Sequence, residues 1–128
     1  MMAGALLTMA MQLLPAPALP RWRVIGRNAQ VEIAIDPPSV QRQGNRVRVN
    51  VRQRFLRPRP GMPAVGVMRY VYDCRANTIR SEASDIYDGR SRFVGTLQTP
   101  ANQLRDVPIG PTSPNAQVRS FLCGRGRR

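Results

Sequence analysis

The stretch "RVRVNVRQRFL", residues 46–56, alternates apolar and polar side chains with a period of two. Successive side chains of a β-strand leave on opposite faces, whereas a helix brings residues three and four apart together, so this pattern specifies a half-buried strand. Val47, Val49, Val51 and Phe55 point to one side, and Arg46, Arg48, Asn50, Arg52 and Arg54 to the other. A strand with one apolar and one charged face fits an antiparallel sheet that is packed on one side and wet on the other.

The flanking sequence repeats the signal. In "WRVIGRNAQVEIAI", 22–35, Val31, Ile33 and Ile35 alternate with Glu32 and Ala34, and "DPPS" then forms a turn whose prolines cannot continue a central strand. "QGN", 43–45, is a second turn. "RPRPGMP", 57–63, is a proline-rich connection that carries Arg57 and Arg59 on a projecting loop. Residues 65–74 make the next strand, with Met68, Tyr70, Tyr72 and Cys74 on one face and Val65, Val67, Arg69, Val71 and Asp73 on the other. A tight turn at Ala76–Asn77 leads into a strand over 78–87, along which Ile79, Ala83 and Tyr87 are spaced. "YDGR", 87–90, is a two-residue Asp-Gly hairpin signal, and 90–98 returns as the opposite strand. Short turns between consecutive strands imply an antiparallel meander. "PANQLRDVPIGPTS", 100–113, reads as a long loop. Ser113 as N-cap, Pro114 at the first helical position, Val118, Phe121 and Leu122 at helical spacing, and Gly124 as a stop predict a helix over 114–123. The expected fold class is α+β, a single domain over residues 19–123 followed by a basic tail, 124–128.

The chain has 128 residues and a formal net charge of +13, and all 20 of its basic residues are arginine. Such a surface attracts polyanions, and guanidinium groups favour bidentate contacts with carboxylate, sulfate or phosphate. With no histidine, few carboxylates and only two cysteines, the chain lacks the usual general bases, nucleophiles and metal-ligand clusters, so no enzyme, no cofactor and no metal site is expected. The uncharged opening "MMAGALLTMAMQLLPAPALP" is too short in its apolar run to span a bilayer. It has the length of a signal-peptide core, with small residues placing cleavage after Ala18, so residues 1–18 are expected to be a signal peptide and the protein to be exported to the periplasm or cell surface. In an oxidising compartment the two cysteines most simply form one disulfide, Cys74–Cys123; two buried free thiols are the alternative.

The most suggestive surface is the arginine ladder Arg46, Arg48, Arg52 and Arg54. Alternate residues of a strand lie about 6.7 Å apart, so the four groups form a stripe that runs into Arg57 and Arg59. The stripe suits an acidic protein segment or a polyanionic glycan. The competing reading is a solvated face paired with Glu32, Glu82 or Asp85 on neighbouring strands. No aromatic stacking residues are interleaved with the arginines, which argues against specific nucleic-acid recognition.

The Trp22 strand, "IDPPSVQRQGNRVRVNV", "YVYDCRANTIRSEAS" and "VPIGPTS…FLC" together resemble the surface-adhesin protein E family of proteobacterial envelope proteins, from about residue 22 to 123. The resemblance rests on the Asp-x-x-Ser-hydrophobic turn at 36–40, Asp73-Cys74, the Pro-Thr-Ser entry to a terminal helix and the last cysteine. It implies a twisted antiparallel sheet of about six strands, with a C-terminal helix tethered to the concave face by Cys74–Cys123. It also implies a non-enzymatic binding role, since the type member is a dimeric outer-membrane adhesin for host matrix proteins such as vitronectin and laminin. The expected partners are therefore an acidic protein, a polyanionic glycan or a host matrix protein, met through Arg46, Arg48, Arg52, Arg54, Arg57 and Arg59, with a homodimer as a further expectation. The alternative is a periplasmic accessory or inhibitor protein acting on another envelope protein.

Overall fold

The computed structural model of the chain describes residues 19–124. The expected signal segment, 1–18, and all but Gly124 of the expected tail, 124–128, lie outside the described residues. Strands β1 (Arg23–Arg27), β2 (Val31–Ile35), β3 (Gln41–Gln43), β4 (Arg46–Phe55), β5 (Val65–Asp73), β6 (Thr78–Tyr87), β7 (Phe93–Gln98) and β8 (Val107–Pro108) precede one helix, α1 (Pro114–Cys123). All belong to one antiparallel sheet in the order β1-β2-β4-β5-β6-β7, with β3 beside β4 and β8 beside β6. The expected α+β fold and meander are what is observed, with six strands on the main path.

The alternation of β4 decides which face is which. Val47, Val49 and Val51 lie opposite Tyr72, Tyr70 and Met68 of β5, and Ile35 of β2 lies opposite Val51. These side chains form the core with Ile33, Ile79, Ile109, Val118 and Leu122. Helix α1 covers this face chiefly over β1 and β2, and its Gln117 amide lies so close over Gly26 that a Cβ there would overlap it. The Tyr72 hydroxyl donates to Asn115 Oδ1 at 3.0 Å, so a buried phenol fixes the first turn of the helix. At the other end Cys74 and Cys123 are disulfide-bonded, with Cα atoms 5.6 Å apart across 49 residues of chain.

Turn chemistry shapes the connections. In the Asp36–Val40 turn, the Ser39 hydroxyl donates to Asp36 O at 2.6 Å and accepts the Asn50 N–H at 2.9 Å, tying the turn to the middle of β4. In the Pro-rich loop, Gly61 takes a left-handed φ of +79° behind Pro60, and Met62 N–H returns to Arg59 O, the arrangement of a type II turn. The loop does not simply project: with Ile86 and Val94 of the neighbouring hairpin, Arg59 and Met62 enclose a cleft.

Several expectations are corrected or refined. The β6–β7 connection is not a two-residue Asp-Gly turn. β7 begins at Phe93, and the left-handed residue is Ser91, φ +60°, because the Asp88 carboxylate accepts the Arg90 and Arg92 N–H groups and holds a five-residue loop. Ile79, Ala83 and Tyr87 are spaced along β6 as expected, but not all on one face. A bulge at Arg69/Tyr70 inserts one residue into β6, so Ile79 lies opposite Tyr72, while Ala83 and Tyr87 lie opposite Arg69 and Val65 on the other face. Residues 100–113 are not a structureless loop, since β8 pairs with β6 and delivers Ile109 to the core. Phe121 is not pinned against the sheet: it is 43% exposed, with the Arg23 guanidinium 4.7 Å from its ring centroid, while Val118 and Leu122 carry the buried stripe. Ser113 occupies the N-cap position, but its hydroxyl donates to Gly110 O instead of capping the helix.

Two measurements check this packing. Leu122→Ala should lower the stability by about 2–5 kcal/mol in urea titrations and Phe121→Ala by less than about 1 kcal/mol; equal losses would place both side chains in the core. Replacing both cysteines by serine should remove about 4 kcal/mol by the loop-closure relation, read from the same titrations with and without reductant.

Candidate functional site

The face of the sheet opposite α1 carries the ladder. Arg46, Arg48, Arg52 and Arg54 leave β4 on this side, and cross-strand register brings Glu32 of β2 opposite Arg54, and Val71 and Arg69 of β5 opposite Arg48 and Asn50. Val71 is apolar yet buried, because Arg48 and Arg80 flank it on both neighbouring strands and their hydrocarbon stems cover it. Arg52 also lies over the Trp22 indole, 5.2 Å from the ring centroid.

Most ladder arginines have carboxylate partners. Glu32, 7% exposed, is shared by Arg27 at 2.9 Å, Arg54 at 3.1 Å and Arg52 at 3.8 Å. Glu82 receives Arg48 through two nitrogens, at 2.7 and 3.2 Å, a fork-to-fork geometry. Asp106 holds Arg46 at 2.8 Å and Arg80 at 2.9 Å, and Asp73 lies 3.9 Å from Arg46. Glu32 and Glu82 thus pair as the ion-paired reading of this face expects. Asp85 instead accepts the Thr96 hydroxyl at 2.6 Å.

The pairing is incomplete. Six guanidinium groups (Arg27, Arg46, Arg48, Arg52, Arg54 and Arg80) share four carboxylates, which leaves two positive charges on the lattice. Arg57, Arg59 and Arg69 are exposed, and none has a carboxylate within 4.0 Å among the described residues. The structure therefore brings Arg46, Arg48, Arg52 and Arg54 together on one face, with Arg57 and Arg59 on the loop that follows the strand. The residue that sequence reading missed is Asp106, which clamps two arginines from 60 and 26 positions away through the short β8 segment. No spacing rule connects positions so far apart.

Electrostatics follow this geometry. Partial desolvation works against the Asp106 carboxylate, but hydrogen bonds and charge from Arg46 and Arg80 outweigh it and hold the group below its ordinary value. The Asp88 carboxylate is lowered as well, mainly by the backbone N–H of Arg92 and then that of Arg90. Burial, with the neighbouring Arg54 charge, lowers Arg52, and Glu32 acts the other way. Burial raises Tyr70 and Tyr72 on the core side, where neither meets the arginines' solvent face. Among the described residues no group of three or more His, Cys, Asp or Glu side chains could hold a metal ion, and no helix is long and apolar enough to cross a membrane.

Carboxylates lowered by folding stabilise the native state above their unfolded pKa, and the contribution is lost as pH falls through the lower folded value. Stability should therefore be flat from neutral pH to about pH 5 and fall below the ordinary aspartate value of 3.8, with a shallower acid limb in Asp106→Asn. Urea titrations from pH 7 to pH 2 read this directly, and an unchanged acid limb in the variant contradicts the clamp. Glu32→Gln should lower stability by about 1–3 kcal/mol, because three partly exposed guanidinium groups lose their shared acceptor.

Comparison with curated proteins and with solved structures gives no match. The family profile described as surface-adhesin protein E matches residues 22–124, which spans β1 to β8, helix α1 and both cysteines. The sheet, the terminal helix and the cysteine tether agree with what that resemblance implied, and the chain belongs to the surface-adhesin protein E family.

Proposed function

We propose that the protein is an exported, non-enzymatic binding protein that meets acidic partners (a host matrix protein, a glycan or another envelope polyanion) through the arginine face and the loop beside it. The observation that carries this reading is the charge excess: the lattice of six guanidinium groups has four carboxylates, and Arg57, Arg59 and Arg69 add three more exposed cations. The paired arginines are held in place by Glu32, Glu82 and Asp106, so they lose little side-chain freedom when a partner's carboxylate, sulfate or phosphate joins them. The unpaired ones provide long-range attraction, which salt screens. Location at the periplasm or the cell surface is part of the same reading, supported by family membership, and a homodimer is a further part of it.

Heparin retention tests the assignment. Wild-type protein should elute at high salt. Arg57→Glu with Arg59→Glu should elute earlier at an unchanged melting temperature, and adding Arg48→Gln and Arg54→Gln should bring elution earlier still. Wild-type elution of the quadruple variant, still folded, would remove this face from the proposal.

A further inference from the structure

A second cationic feature lies on the helix side of the sheet, away from the arginine face. Arg42 of β3 stands opposite Val47 and therefore on the core side of its strand pair. Arg75 follows Cys74 directly, and Arg119 sits one helical turn before Cys123, so the disulfide that joins the cysteines also joins the elements bearing these arginines. The three line one cleft of about 490 Å³, whose other walls include Gly44, Asn45 and the cystine itself. We propose that this cleft binds a phosphate or sulfate group.

Three observations carry the proposal. First, among the described residues no carboxylate lines the cleft, in contrast to the pocket on the opposite face, where Glu82 accompanies Arg46, Arg48 and Arg80. The nearest acidic residue in sequence, Asp73, leaves β5 on the opposite face. Its carboxylate is occupied by the Arg75 and Ala76 N–H groups and by Arg46 at 3.9 Å. Neither Arg42 nor Arg75 makes a side-chain hydrogen bond or ion pair among the described residues.

Second, Arg119 is already oriented. Its Nη2 donates to Cys74 O at 2.7 Å, while its Nε is buried and has no acceptor among the described residues. A guanidinium already held at Nη2 suits an incoming tetrahedral oxyanion, because the entropy of ordering the side chain has been met by the fold.

Third, the charge balance favours an anion. The C-terminal end of α1 points at this region and contributes the equivalent of about half a negative charge, which holds guanidinium groups near it but does not neutralise three of them. The cleft is larger than one oxyanion, so the molecule carrying the group extends into solvent. This site is separate from the face proposed above and stands whether or not that face binds a partner.

The test follows the arginine Nε–H signals of the 15N-labelled full-length, oxidised protein by NMR. Inorganic phosphate and inorganic sulfate are titrated in separate arms at ionic strength held constant with sodium chloride. The expected result is a saturable shift of Arg119 and Arg75 in at least one arm. In Arg42→Ala with Arg75→Ala, whose side chains make no hydrogen bond or ion pair among the described residues, the affinity should drop about tenfold or more at an unchanged melting temperature. Arg57→Glu with Arg59→Glu should leave the saturation curve in place even though it weakens heparin retention. Linear, unsaturated shifts shared by all exposed arginines overturn the proposal, as does an unchanged affinity in the Arg42/Arg75 variant.

Discussion

One sheet has two faces, and among the described residues a single ten-residue α-helix is there to cover one of them. A helix of that length is about 15 Å long, whereas the ten-residue β4 runs about 33 Å. The helix therefore seals the region around Val47, Val49, Ile33 and Tyr72 and leaves the far part of the same face open, which is where Phe55 and Leu97 are exposed. So short a helix is marginal alone. The Tyr72–Asn115 hydrogen bond at its start and the Cys74–Cys123 bond at its end hold it on the sheet.

Among the described residues no α-helix lies on the opposite face, and its arginines follow from that. Val71 and Ala34 are apolar and lie on it, yet both are buried. Long guanidinium side chains cross over them and meet Glu32, Glu82 and Asp106, so the ladder is at once the cover of the second face and its charge. Each exposed pair contributes little to stability by itself. Their joint effect is to fix the side chains in a row, with more cations than anions.

How much of this was legible depended on how local each signal is. The period of two in β4 and the capping and stop residues around α1 are written in adjacent positions, and both elements are found where the sequence puts them. The bulge at Arg69/Tyr70 is not written there, because it depends on how two strands fit and it moves Ala83 to the other face without changing its neighbours in sequence. Asp88 carried two signals, a turn with Gly89 and an acceptor for later N–H groups. The second won, since a carboxylate that accepts both Arg90 and Arg92 N–H groups sets a longer loop. The ladder itself was legible from β4 alone. Its partners were partly so: Glu32 and Glu82 sit on neighbouring strands and were anticipated, whereas Asp106 arrives through a two-residue strand that no periodicity marks. Phe121 satisfied helical spacing with Val118 and Leu122, but the helix axis turns its ring to the rim, where Arg23 lies over it.

Native-state hydrogen exchange on the oxidised protein tests most directly whether the tethered helix is what closes the core. The account predicts that the amides of α1 around Val118 and Leu122 exchange with the same opening free energy as those of Val47, Val49 and Tyr72, as one cooperative unit. Helix amides that open far more easily, while the strand amides keep full protection, would show that the sheet closes its core without the helix and would contradict the account.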